Sequence, residues 1–347
     1  MQTRLQDSRI ALKDPALIKR KTIQVLEMDS VRLGEIKPGQ SLPLVIEPLK
    51  HDKELATWIE SHRAWINERL RERGGILFRS FPVSNLEEFE RTALALSGEM
   101  AEYVYRSTPR TRVQNRIYTS TEYPPDQTIP MHNENSYAAV WPMKIWFFCE
   151  KAAAQGGQTP IADSRLVYRR MDSEVRDRFA EKKVMYIRNY SNDIDLPWQT
   201  VFQTEKKAEV EAYCREASIR WQWIDDTRLR TWQIREAIAT HPQTGDVVWF
   251  NQAHLFHLSS LESDVQKSLI ETCGEEFLPR QTRYGDGTPI EDEALQEVRR
   301  AYAESTVEFN WQPGDLLLLD NMLTAHGRRP FGGARRILVA MAEPVQE

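Results

Sequence analysis

The chain is short of several things, and each shortage excludes a class. Only three cysteines occur in 347 residues, Cys149, Cys214 and Cys273. None forms a Cys-x-x-Cys pair, which removes a disulfide scaffold and a thiolate zinc module and points to a reducing compartment. No run approaches the ~18 consecutive apolar residues of a membrane span, and the first residues carry charge without the apolar core of a secretory leader. A cytoplasmic location is therefore expected. Neither sign of charge dominates: 46 Lys and Arg stand against 51 Asp and Glu, a net charge of −5. That balance offers no attraction to phosphate backbones or anionic lipid, so neither nucleic acid nor a membrane is expected as a partner. Low complexity, internal repeats and long Pro/Gly/Ser linkers are also missing.

What is present is an ordinary globular composition, 41% hydrophobic and 28% charged, in a chain long enough for one large enzyme domain. A single catalytic domain over 1–347 is expected, with a loose leader over 1–30. Helical spacing appears at residues 53–73, where Leu55, Trp58, Ile59, Ile66 and Leu70 recur and Gly74-Gly75 stop the pattern. Further helical patterns cover residues 86–100, 164–181, 205–217, 264–275 and 291–304. Strand texture marks Ile76-Leu77-Phe78, Lys144 through Cys149 and Val247 through Phe250. The last stretch predicts strand, turn, strand: residues 306–311, the turn Gln312-Pro313-Gly314-Asp315, Leu316 through Leu319, a loop, then residues 336–341. The expected fold class is mixed α/β with an antiparallel core, a core of about 75–347 carrying helical insertions at about 163–240 and 260–305.

His132-Asn133-Glu134 lies in the β-textured middle. Residues two apart share a strand face, so an imidazole and a carboxylate can converge. By itself the triplet is weak, since seven histidines should give about one His-x-acid by chance. His326, 194 residues later, follows the run Leu316 to Asp320 and would bring a second imidazole. Two His and one carboxylate make the facial triad of non-haem Fe(II) oxygenases, with positions left open for cosubstrate and O₂. His132, Glu134 and His326 are therefore the candidates for catalytic and metal roles, with a surface triplet and a buried core histidine as the alternatives. A dicarboxylate cosubstrate such as 2-oxoglutarate would need a guanidinium fork, and Arg335 and Arg336 both follow on the next strand. Arg336 shares its face with Leu338 and Ala340, which favours it as the inward residue; Arg335, in phase with Ile337 and Val339, is the alternative. Thr159, in Gly156-Gly157-Gln158-Thr159, adds a hydroxyl. Asn251, after the strand at 247–250, and Glu122 are candidate substrate contacts. His254 and His257 form a rival imidazole pair that lacks a carboxylate in the metalloprotease manner.

In the order His132-x-Glu134, Gly-Gly-x-Thr159, Pro313-Gly314-Asp315, His326 and Arg335-Arg336, the chain resembles the taurine dioxygenase and clavaminate synthase superfamily. The segments Ile129 to Tyr137, Val248 to His257 and His326 to Phe331 are similar to a branch that includes the syringomycin-pathway aspartyl hydroxylase. The resemblance implies a double-stranded β-helix (jelly roll) and the cofactors Fe(II), 2-oxoglutarate and O₂. It implies His132, Glu134 and His326 on the metal and Thr159 and Arg336 on the cosubstrate. Glu134 occupies the place that halogenases of this kind leave small. The implied activity is oxidoreductase, a dioxygenase in specialised-metabolite biosynthesis. It would hydroxylate an unactivated C–H of an amino-acid-like small molecule, free or tethered to a carrier protein, and release succinate and CO₂. Desaturation or cyclisation at the same centre, or a β-helix module without catalysis, are the alternatives.

Overall fold

The computed structural model describes residues 26–28, 30–50, 52–101, 110–121, 123–192 and 194–346. Most of the expected leader, and Glu122, lie outside the described residues.

Two sheets position the site. The larger has nine strands, in the order Leu26–Met28, Val31–Glu35, Leu44–Pro48, Gly75–Phe78, Leu316–Asp320, Val140–Lys151, Arg336–Gln346, Ile117–Thr119, Arg112–Gln114. Its pairings are antiparallel except for Leu44–Pro48 against Gly75–Phe78. The smaller runs Thr306–Val307, Ile161–Asp163, Thr324–Arg328, Ile129–His132. All of its pairings are antiparallel.

The central strands are buried on both faces, and each face packs on a different neighbour. Leu316, Leu318, Leu338, Ala340, Trp146 and Phe148 pack with the helices Leu55–Arg73 and Leu86–Ser97. Leu317, Leu319, Ile337, Val339, Phe147 and Cys149 pack inward with Ile161, Phe309 and Trp311. The first helix ends as its sequence predicts: Gly74, at φ 78°, donates its N–H to Leu70 O at 2.7 Å, the left-handed cap that glycine adopts without a Cβ penalty. Asn85 caps the second by accepting Glu88 N at 2.9 Å. Arg79 closes the Pro313-Gly314-Asp315 turn with a two-pronged contact to Asp315, 3.0 and 2.7 Å.

The structure departs from the sequence expectations in several places. The stretch expected as one helix over 164–181 is two, Ser164–Arg170 and Ser173–Lys182, because Asp172 accepts the N–H groups of Glu174 and Val175 and starts a second helix. The strand expected over 306–311 is only Thr306–Val307. Most consequentially, the expected helical insertions also hold a four-stranded antiparallel sheet, Arg220–Trp223, Leu229–Arg235, Val184–Tyr190 and Arg280–Tyr284. In Leu229–Arg235 the buried positions are Leu229, Thr231, Gln233 and Arg235, while Ile234 is 43% exposed. Period two is present, but polar side chains occupy the covered face, so hydropathy does not announce the strand.

Candidate active site

His326 lies within the strand Thr324–Arg328 rather than in the loop expected for it, because the chain turns at Asn321 to Leu323 and pairs again at once. It stands directly opposite His132 in the antiparallel register. The two imidazole centroids are 4.4 Å apart. Glu134, two residues beyond His132, brings its Oε2 to 3.9 Å from His326 Nε2. One ligand atom from each of the three lies within 4.8 Å of the others, so three side chains from distant segments share one point.

Hydrogen bonding fixes which nitrogen of His132 faces that point. His132 Nδ1 is 2.8 Å from Pro130 O; a carbonyl only accepts, so the proton is on Nδ1 and Nε2 keeps its lone pair. His326 Nδ1 has no hydrogen-bond partner among the described residues, although the residue is only 5% exposed. Burial holds both imidazoles below their ordinary pKa; on His326 the neighbouring His132 and Arg110 push the same way, while on His132 burial outweighs the opposing pull of Glu134 and the Pro130 carbonyl. Both are therefore neutral at pH 7, the form a metal requires. A 3.9 Å gap is too long for a hydrogen bond, and two neutral imidazoles facing a carboxylate are the donor set that a divalent transition metal completes. The residues fit an iron ion.

Around this point lies a cleft lined by His132, His326, Phe147, Thr159, Arg110 and Arg335, among others. Thr159 is 2% exposed, and its Oγ1 accepts Trp311 Nε1 at 3.0 Å, which leaves the hydroxyl proton to point elsewhere. The expectation for Arg336 is corrected here. Arg336 faces outward and pairs with Glu150 at 2.8 Å with its side chain 50% exposed. Arg335 lines the cleft on the same face as Ile337 and Val339. Alternation holds, but the face was misjudged: Leu338 and Ala340 meet the helix layer, so an apolar face does not identify the interior. Arg335 donates Nε to Gly157 O at 3.0 Å. Burial, then the charge of Arg328, pull it down to about 10, still protonated at neutral pH. Gly157, at φ 71°, permits that approach, since a Cβ there would stand 3.0 Å from both Arg335 Cδ and Ala153 Cβ.

Asn251 is likewise corrected as a substrate contact. It is fully buried, its amide donates to Ala237 O at 2.8 Å and accepts Ala253 N at 3.0 Å, and it serves the start of the short helix Ala253–Phe256. His254 and His257 do not act as a pair. His254 Nε2 bonds Met131 O at 2.9 Å and burial lowers its pKa to about 4, while His257 Nδ1 accepts Ser259 N at 3.2 Å. Sequence reasoning missed Arg110. Its Nη2 lies 2.6 Å from Glu134 Oε2, and both side chains are 4% exposed. It stands outside every motif, so only the fold reveals it.

The fold and this donor set define a non-haem iron dioxygenase that uses 2-oxoglutarate and O₂. The chain belongs to the family described as taurine catabolism dioxygenase TauD, TfdA family, which its sequence matches over residues 42–342. It is 43% identical over 280 residues to the dapdiamide synthesis protein DdaC of Enterobacter agglomerans, covering 81% of this chain and 85% of that one. It is 30% identical over 318 residues to a clavaminate synthase-like protein of Arabidopsis thaliana, 88% of this chain and 89% of that one. Among solved structures it is similar to PvcB of Pseudomonas aeruginosa, at 16% identity and a TM-score of 0.56, covering 92% of this chain and 94% of the other. A further PvcB structure is described as an Fe, α-ketoglutarate dependent oxygenase from an isonitrile synthetic pathway. Among the described residues no helix is long and apolar enough to cross a membrane.

Proposed function

We propose that this chain hydroxylates an unactivated C–H bond of an amino acid or of an aminoacyl group, free or carrier-bound, in a biosynthetic pathway, and that its two principal sheets are the halves of a double-stranded β-helix. The observation that carries the reading is the convergence of His132, Glu134 and His326 within 4.8 Å on a cleft that also contains Thr159 and Arg335. Glu134 fills the third ligand position and leaves none for a halide, which favours hydroxylation. DdaC's description as a synthesis protein favours biosynthesis over catabolism.

In this reading His132 and His326 offer Nε2 and Glu134 a carboxylate oxygen to the iron. Fe(II) with 2-oxoglutarate and O₂ supplies the oxidation of the C–H bond, with succinate and CO₂ as coproducts. Arg335 holds the distal carboxylate of the cosubstrate in a two-pronged contact, and the Thr159 hydroxyl donates to it. Trp311, hydrogen-bonded to Thr159, sets the direction of that donor. Phe147 and Val339, which also line the cleft, keep the reacting carbon away from bulk water.

The test is substrate-dependent succinate formation across free amino acids and their carrier-bound forms, with the product mass read in parallel. Gain of one oxygen is expected; loss of two hydrogens would replace hydroxylation by desaturation. His326→Ala is expected to abolish turnover, and retained turnover would remove His326 from the ligand set.

A further inference from the structure

Glu134 lies just beyond the end of its strand, where among the described residues no neighbouring strand pairs with its backbone. Its N–H and C=O nonetheless both find partners in one side chain. Asn321 Oδ1 accepts Glu134 N at 2.7 Å, and Asn321 Nδ2 donates to Glu134 O at 2.9 Å. The same Nδ2 donates to Pro142 O at 2.9 Å, and Asn321 N donates to Met143 O at 2.8 Å, which ties the residue to the long central strand. The exchange is reciprocal: Asn133 Nδ2 donates to Asn321 O at 2.6 Å and to Ser164 Oγ at 3.0 Å. Gln252 Nε2 seals the far side by donating to Asn133 O at 2.7 Å. Both asparagines are fully buried.

A carboxamide carries a donor and an acceptor side by side, so it matches the N–H and C=O of one residue as a neighbouring strand would. Aspartate would offer only acceptors to two carbonyls, glutamine is a methylene too long, and alanine offers nothing. Asn321 also sits at the corner that leads directly into the strand of His326. One rigid bracket therefore joins the backbone of the carboxylate ligand to the strand of the distant imidazole.

We propose that Asn321, with Asn133 as its reciprocal arm, is a positioning residue that sets the distance between Glu134 and His326 and thereby the affinity and uniformity of the metal site. The proposal rests on the metal-site reading above.

The test is anaerobic titration with Mn(II), followed by electron paramagnetic resonance, on the full chain. Asn321→Ala is expected to weaken Mn(II) binding by about tenfold or more and to broaden the bound signal through a spread of ligand geometries. Leu338→Ala, a core deletion against the helix layer, serves as the control for lost stability. It is expected to lower the melting temperature comparably while Mn(II) affinity stays within about twofold of wild type. A folded Asn321→Ala protein with wild-type affinity and line shape would overturn the proposal. Should that variant not fold, Asn133→Ala removes only the reciprocal arm and carries the test, with weakened binding expected and unchanged binding again fatal. A wild-type protein that binds no Mn(II), or whose binding survives His326→Ala, would instead remove the metal site itself and the bracket's role with it.

Discussion

At the scale of single residues, two adjacent arginines point to different places, Arg335 into the cleft and Arg336 to the surface. Arg335→Ala is expected to raise the KM for 2-oxoglutarate by about thirtyfold, since truncating one partner of a buried charged contact costs about 2 kcal/mol or more. Arg336→Ala loses only the exposed pair with Glu150, so KM should stay within about twofold and stability within about 1 kcal/mol. Initial rates against cosubstrate concentration check both. Arg110 is a different case, because it neutralises Glu134 in a site closed to solvent. Arg110→Met strands a buried carboxylate and should cost the metal-free protein about 3 kcal/mol in urea unfolding; adding Mn(II) should narrow the difference, because the dication replaces the lost charge. The grouping of His132, Glu134 and His326 was suggested by the sequence, but strand alternation is not what brings Glu134 there, since the strand ends at His132 and Glu134 lies in the turn beyond it. The choice between Arg335 and Arg336 was not legible, since Leu338 and Ala340 are as apolar as Ile337 and Val339 and only the position of the helices tells the faces apart. Arg110 left no signal, being one arginine among many with no spacing rule to connect it to residue 134.

At the scale of elements, the backbone conformation of the Gly156-Gly157 turn makes room for Arg335. Gly157→Ala places a Cβ at φ 71° against the arginine stem. It is expected both to destabilise the fold by about 1 kcal/mol or more and to raise the KM for 2-oxoglutarate. Comparing that KM with the thermal midpoint separates displacement of the arginine from general loosening. The short helix Ala253–Phe256 contributes an imidazole to the ligand strand's support, since His254 bonds the carbonyl of Met131 beside His132. Its pKa falls from 6.5 to about 4 on folding. The unfolded chain therefore binds more protons between those values, and stability at this residue is complete above pH 6.5 and lost as pH falls toward 4. The loss amounts to roughly 3 kcal/mol. His254→Gln should flatten the acid limb of a stability profile over that window. The helix at 55–73 was legible from its periodicity and the Gly74-Gly75 stop, whereas the helix expected over 86–100 ends at Ser97. The sheet that contains Leu229–Arg235 was not legible, because Thr231, Gln233 and Arg235 face inward and invert the expected alternation.

At the scale of the whole molecule, the metal links folding to loading. A ligand that binds only the native state at about 100 times its Kd adds about 2.7 kcal/mol of stability. Mn(II) should therefore shift the urea midpoint upward, EDTA should reverse the shift, and His132→Ala and His326→Ala should each abolish it. The broad architecture was readable because a few long apolar strands dominate it; its inserted sheet and buried polar bracket were not, since both depend on pairings between segments far apart in the chain. The register that sets His326 opposite His132 also has a temporal meaning. During synthesis the first imidazole and its carboxylate leave the ribosome long before the second, with some two hundred residues still to be translated. A nascent chain can hold iron only weakly through that interval. If His132, Glu134 and His326 hold the iron as proposed, a chain that ends before residue 326 lacks one of the two imidazoles and cannot complete the centre.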